Sequence, residues 1–179
     1  PTPNRKWGTY FGNTGDDRIK STATDKRGNV YVVGYTGSAN NISTTGAFQT
    51  SYGGNNDGFV SKFNRKGQRL WTTYFGGSQS ESFSRIIVDG RNNPIVVGQT
   101  ASSNFPYSAG CRQTTFGGKT DGVVVKLSDT GTRKWATYFG GTENDFLYGV
   151  DVDANYNIYF GGSTQSTSTG TTSTSITSG

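Results

Sequence analysis

Apolar residues along this chain fall in short runs bounded by clusters of Gly, Asn, Asp, Ser and Thr. VYVVGYT at 30–36, GFVSKF at 58–63 and WTTYFGG at 71–77 are examples. Runs of this length, rich in aromatic and β-branched residues and closed by turn formers, predict strands rather than helices. The runs also recur. Trp7, Trp71 and Trp135 stand 64 residues apart, and each opens the same phrase, WGTYFG, WTTYFGG and WATYFGG. NVYVVGYT at 29–36 returns in register as NPIVVGQT and NIYFGGST, and GAFQTSYGGNNDGFVSKFN at 46–64 returns as GCRQTTFGGKTDGVVVKLS. A fixed period of this size marks a repeat architecture, with one supersecondary unit per period.

Each period predicts four strands. Strand A lies at 19–25, 85–89 and 149–153; strand B at 30–36, 95–100 and 158–164; strand C at 58–64 and 122–128; strand D is the Trp phrase. DKRGN at 25–29 and NRKG at 64–67 supply tight A–B and C–D turns, whereas the B–C link is long. In WTTYF, residues Trp71, Thr73 and Phe75 point one way and Thr72 and Tyr74 the other, and VYVV is apolar on both faces. A four-stranded sheet apolar on both faces must be sandwiched between neighbours, as blades are in a propeller. The expected fold is therefore all-β: a β-propeller of four-stranded antiparallel blades with a 64-residue repeat and an incomplete ring.

The phrases WxTYFGG, DxxGNxYVxG and GAFQTSYGGxxDGFVxKxN resemble the SBBP family of bacterial β-propeller repeats, over nearly the whole chain up to about Thr164. The resemblance implies a seven-bladed propeller in a secreted or cell-surface protein with no assigned catalytic residues. Two departures stand out. The Phe48 position becomes Arg112 in the second copy, and the third copy lacks its C strand.

The expected organisation is propeller repeats over 1–164, with a strand D at 7–12, blades at 18–76 and 84–140, and a half blade at 147–164. Residues 165–179 form a Ser/Thr-rich tail or loop. Such a set of strands cannot close by itself, so the expected partners are further blades of the same polypeptide or other copies of the chain.

Composition narrows the chemistry. With no His and a single cysteine, Cys111, the common zinc sites, an intrachain disulfide and His-dependent hydrolase triads are excluded. The net charge of +5 is scattered, and its densest group, Lys62, Arg65, Lys66 and Arg69, reads as a solvated hairpin tip. Neither a recognition helix nor a ribonucleoprotein motif supports nucleic-acid binding, and no apolar run approaches a bilayer span, so no membrane insertion is expected.

The D–A and B–C connections emerge on one rim of the propeller and the hairpins on the other. The long-loop rim carries the acids Asp17, Glu81 and Asp145, read as solvated loop positions, and the aromatics Phe105 and Tyr107. Carboxylates beside exposed rings are what a sugar-binding surface needs, so these five are the candidate ligand-binding residues, with surface polysaccharide as the ligand. Acidic loops could hold Ca²⁺ through oxygen, although no cofactor is expected. Trp7, Trp71, Trp135, Tyr74, Phe75, Tyr138 and Phe139 are expected to be repeat-core residues; Phe48, Tyr52 and Phe116 are expected to anchor the long loops against the next blade; Asp25, Asp89 and Asp153 close Asx turns. No catalytic pair is recognisable. The expected function is a non-catalytic extracellular or cell-surface module, structural, adhesive or interacting with other proteins. The alternatives are a glycan-binding domain using the long-loop rim, or an accessory domain of a carbohydrate-active enzyme.

Overall fold

The computed structural model describes residues 6–167 and 176–177. Among these there is no helix. The first blade is β1 (Asp17–Thr24), β2 (Val30–Thr36), β3 (Asp57–Phe63) and β4 (Arg69–Phe75), paired antiparallel in chain order. The second is β5 (Glu81–Val88), β6 (Pro94–Thr100), β7 (Asp121–Leu127) and β8 (Arg133–Phe139), paired in the same way. A third sheet holds β9 (Asp145–Val152), β10 (Asn157–Thr164) and β11 (Ile176–Thr177). The backbone of Ile176 pairs with Ile158 where Phe63 pairs with Val30 in the first blade, so a two-residue strand stands in the C position that the sequence left empty.

Turn chemistry follows the repeat. The fourth residue of each A–B turn, counted from its capping Asp, has positive φ: Gly28 at 79°, Asn92 at 63° and Tyr156 at 67°. Gly relieves the strain of that conformation best, so the copies become progressively less suited to it. Strand A carries an irregularity at the same point in all three sheets, and it brings a backbone carbonyl close to strand B. A Cβ at Gly34, Gly98 or Gly162 would collide with the carbonyl oxygen of Arg18, Ser82 or Phe146, which is why glycine recurs in VVGYT, VVGQT and FGGST.

The core lies between blades. Tyr31, Val33, Val60 and Phe75 of the first blade interlock with Phe83, Ile86, Val96 and Val123 of the second. Ile95, Val97 and Val124 meet Leu147, Val150 and Ile158 in the next layer. Burial of both sheet faces is the cohesive term, since apolar area removed from water contributes about 25 cal/mol per Å². On the outer face of the first blade Val32, Phe59 and Phe63 are covered by Trp7 and Phe11. Residues 7–12, expected as a strand D, form no strand. With no A–C strands beside them among the described residues, their backbone has no ladder to join, and only the two rings dock: Phe11 on Phe59 at 4.3 Å and Trp7 on Phe63 at 6.2 Å.

Candidate functional site

The two rims are built from carboxyls. On the hairpin rim Asp25, Asp89 and Asp153 close the A–B turns as Asx caps. The Oδ1 of Asp25 accepts from the N–H of Arg27 and Asn29, both at 2.9 Å, and Asp89 and Asp153 repeat the arrangement. Lys62 lies between Asp25, at 3.8 Å, and Asp129 of the second blade's C–D turn, and Lys126 lies 3.1 Å from Asp89. Lys62 is therefore no solvated tip residue: it is 3% exposed, inside β3, with its ammonium over the ring of Tyr31. Asp129 also accepts from the Tyr31 hydroxyl at 3.0 Å, and its carbonyl accepts from the Trp71 indole at 3.0 Å, which staples the first blade to the second. Burial acts to raise the pKa of Asp25 and Asp89. Turn hydrogen bonds from Asn29 and Asn93, with the nearby Lys charges, outweigh it and hold both below the usual carboxylate value.

On the long-loop rim Asp17, Glu81 and Asp145 occupy one repeat position, the first residue of each strand A. They are not solvated loop acids. Glu81 is 1% and Asp145 3% exposed, and Asp17 is half-buried. Each carboxylate accepts a backbone N–H from four residues earlier: Asn13 at 2.8 Å, Gly77 at 2.7 Å and Gly141 at 2.7 Å. Ser38 and Ser166 donate to Asp17 and Asp145 at 2.8 Å, and Thr36 and Thr100 donate to Asp17 and Glu81. The same serines, with Ser102, accept a loop N–H from Gly15, Glu143 and Gln79. The acid and the T-x-S at 36–38, 100–102 and 164–166 thus form one loop staple used three times. The common spacing of 64 was the signal that could have revealed it.

Asp57 and Asp121, at the start of strand C, are both fully buried. Their Oδ2 atoms accept from Gln49 and Gly53, and from Gln113 and Gly117, at 2.9 to 3.0 Å. Burial raises Asp57 to about 7 and Asp121 to about 6, and the neighbouring charges of Glu81 and Asp145 add to it. Burial also raises Glu81.

The aromatic half of the expected sugar surface is not exposed as a pair. Phe105 is 1% exposed, wedged between Phe75 at 5.2 Å and Tyr138 at 5.7 Å, so it offers no ring to a ligand. An aromatic in a long loop is better stabilised by filling an interblade hole than by facing water. Tyr107 is 39% exposed and leans on Tyr138 at 5.8 Å. Phe48, Tyr52 and Phe116 anchor the loops on strand D of their own blades, against Phe75, Tyr74 and Tyr138, rather than on the next blade as expected; Phe48 also meets the next blade, under the Arg133 guanidinium. Where Phe48 becomes Arg112, the guanidinium sits 5.9 Å from the Phe139 ring, so a cation over a ring replaces a stack. Tyr74 and Tyr138 donate to the carbonyls of Ser38 and Ser102 at 2.7 and 2.9 Å. Trp71 and Trp135 are half-buried in the interblade layers. Among the described residues no group of three or more Asp, Glu or Cys side chains is placed to hold a metal ion.

Stacked four-stranded antiparallel sheets, with their cores between sheets and a recurring staple on each rim, define a β-propeller repeat protein whose described blades form an open ring. The family model of the SBBP β-propeller repeat matches residues 6–42 and 134–168, each match running from a Trp phrase through strands A and B. Residues 70–106, one period on from the first match, carry the same phrases. No curated protein matches the chain.

Proposed function

We propose that the chain is a non-catalytic structural module of a secreted or cell-surface β-propeller, working through its end faces by stacking on further blades, its own or those of another copy. The observation that carries this reading is a difference in burial between equivalent positions. Phe83 and Ile95 are fully buried between blades, but their equivalents at the two ends, Ile19 and Tyr159, are 50% and 49% exposed. Trp7 and Phe11 cover strands B and C of the first end face but leave Ile19 of strand A open, and positions built to be covered yet left in water support association there, because exposed apolar area is unfavourable. The long-loop rim gives little support to the glycan-binding alternative, since its acids serve as staples and Phe105 is core.

The test is the native mass of the particle against the 19.2 kDa of this chain. A whole-number multiple, or a larger covalent mass, is expected. Ile19→Lys together with Tyr159→Lys should abolish assembly while leaving the sheet circular dichroism intact. A particle that stays at the single-chain mass at all concentrations, with hydrogen exchange showing both end faces open, overturns the reading.

A further inference from the structure

The five staple and strand-C carboxyls of the long-loop rim are set edge to edge. Pairing places Asp17, Thr36 and Asp57 in one row across the first blade, and Glu81, Thr100 and Asp121 in one row across the second. Blades then join at these rows: the Glu81 N–H donates to the Asn56 carbonyl at 2.8 Å and the Asp145 N–H to that of Thr120 at 2.7 Å. Each seam consequently brings a strand-C acid against the strand-A acid of the following blade.

Glycine makes the room. A Cβ on Gly76 would collide with Glu81 Oε2 and come within 2.8 Å of Asp57 Oδ1, and one on Gly140 would come within 2.8 Å of both Asp121 Oδ1 and Asp145 Oδ2. The two carboxyls of each seam thus converge on one small space. Asp57 Oδ1 and Asp121 Oδ1 are buried there without a hydrogen-bond partner, and Asp145 Oδ1 is likewise buried and unpartnered. Among the described residues none of the five acids forms an ion pair. The titratable groups facing Asp57 are Glu81 of β5, Tyr74 of β4 and Tyr52 of the B–C loop, with Asp17 of β1 acting on both tyrosines. Those facing Asp121 are Asp145 of β9 and Tyr138 of β8, which also feels Glu81 and Tyr107. All are acids or phenols, so hydrogen-bond donors but no cation there offset two adjacent negative charges.

We propose that each blade seam on this rim is a carboxylic acid–carboxylate pair, Asp57 with Glu81 and Asp121 with Asp145, which holds one proton between its two members and acts as a pH-sensitive latch. A neutral acid turns an orphaned Oδ1 into a donor and removes the repulsion; loss of the proton to solvent leaves two carboxylates pressing the blades apart. The folded state keeps a proton that the unfolded chain has already released. Its stabilisation is complete below the ordinary carboxyl value near 4 and is lost as pH rises through about 6 to 7. The chain has no histidine, so no side chain of ordinary pKa competes in that window.

The experiment is a pair of measurements on the whole chain. Carbon-13 titration of the side-chain carboxyls in the unmodified protein should place Asp57 and Asp121 at midpoints near 7 and 6. The thermal midpoint should fall on the order of 5 °C between pH 5 and pH 8. Asp57→Asn with Asp121→Asn, which mimics the neutral acid, should flatten that fall and melt above the unmodified protein at pH 8. Midpoints near 4 for both carboxyls overturn the proposal, whether or not the variant folds. So does a melt at pH 8 that Ca²⁺ raises and a chelator lowers, because a cation rather than a proton would then hold the pair.

Discussion

On the hairpin rim Asp25 and Asp89 sit beside Lys62 and Lys126, whereas on the long-loop rim Asp57, Glu81 and Asp121 face other carboxyls. Both sets are buried at strand ends and both accept backbone N–H groups. Their pKa values nevertheless move in opposite directions, down on the first rim and up on the second. The difference lies in the balance of desolvation against hydrogen bonds: on the hairpin rim the Asx-turn hydrogen bonds outweigh burial, on the long-loop rim burial outweighs them, and the nearest charge adds in the same direction on each rim.

The contrast breaks most sharply at Lys62. Lys62→Ala leaves the fully buried Asp25 carboxylate without its cation and should cost about 3–5 kcal/mol in urea denaturation. On the opposite rim the dominant anchor is apolar, and Phe105→Ala should cost about 3 kcal/mol by the same measurement, through the hole left between Phe75 and Tyr138. A smaller effect comes from the turn acid itself: Asp25→Asn should cost about 1–2 kcal/mol at pH 7. Its pH profile should mirror that of Asp57→Asn. The folded pKa of Asp25 is depressed, so its contribution is full above the ordinary value near 4 and disappears as pH falls below it, which acid titration of the two variants compares directly. The smallest effect belongs to the exposed pair Lys119 and Glu143, where Lys119→Ala should change stability by less than about 0.5 kcal/mol and lose even that in high salt.

A second contrast runs along the chain. In the WxTYF phrase Tyr74 and Tyr138 are 1% and 0% exposed and donate to a serine carbonyl, yet Tyr10, in the same phrase, stands fully in solvent. The phrase carries strand propensity in all three copies, but among the described residues only two have a strand C beside them to pair with.

The 64-residue period, the four-strand unit, the Asx turns at Asp25, Asp89 and Asp153 and the long-loop anchors Phe48, Tyr52 and Phe116 were legible in the sequence, because each rests on spacing, turn chemistry or a repeated aromatic. The role of the rim acids was not, nor was the blade on which the anchors dock. Asp17, Glu81 and Asp145 look like surface residues in a polar loop, and Lys62 looks like part of a basic tip, because nothing local says which chain segment will cover them. Their partners lie across sheets and blades: Thr100 for Glu81, Asp129 for Lys62, Asp145 for Asp121. What the sequence determined by itself is the repeating unit, because backbone preference and face alternation act over a few residues. Which acids are charged, which aromatics are core and which copy of a phrase becomes a strand was decided only by the tertiary structure, since electrostatics and burial depend on neighbours tens of residues away in sequence.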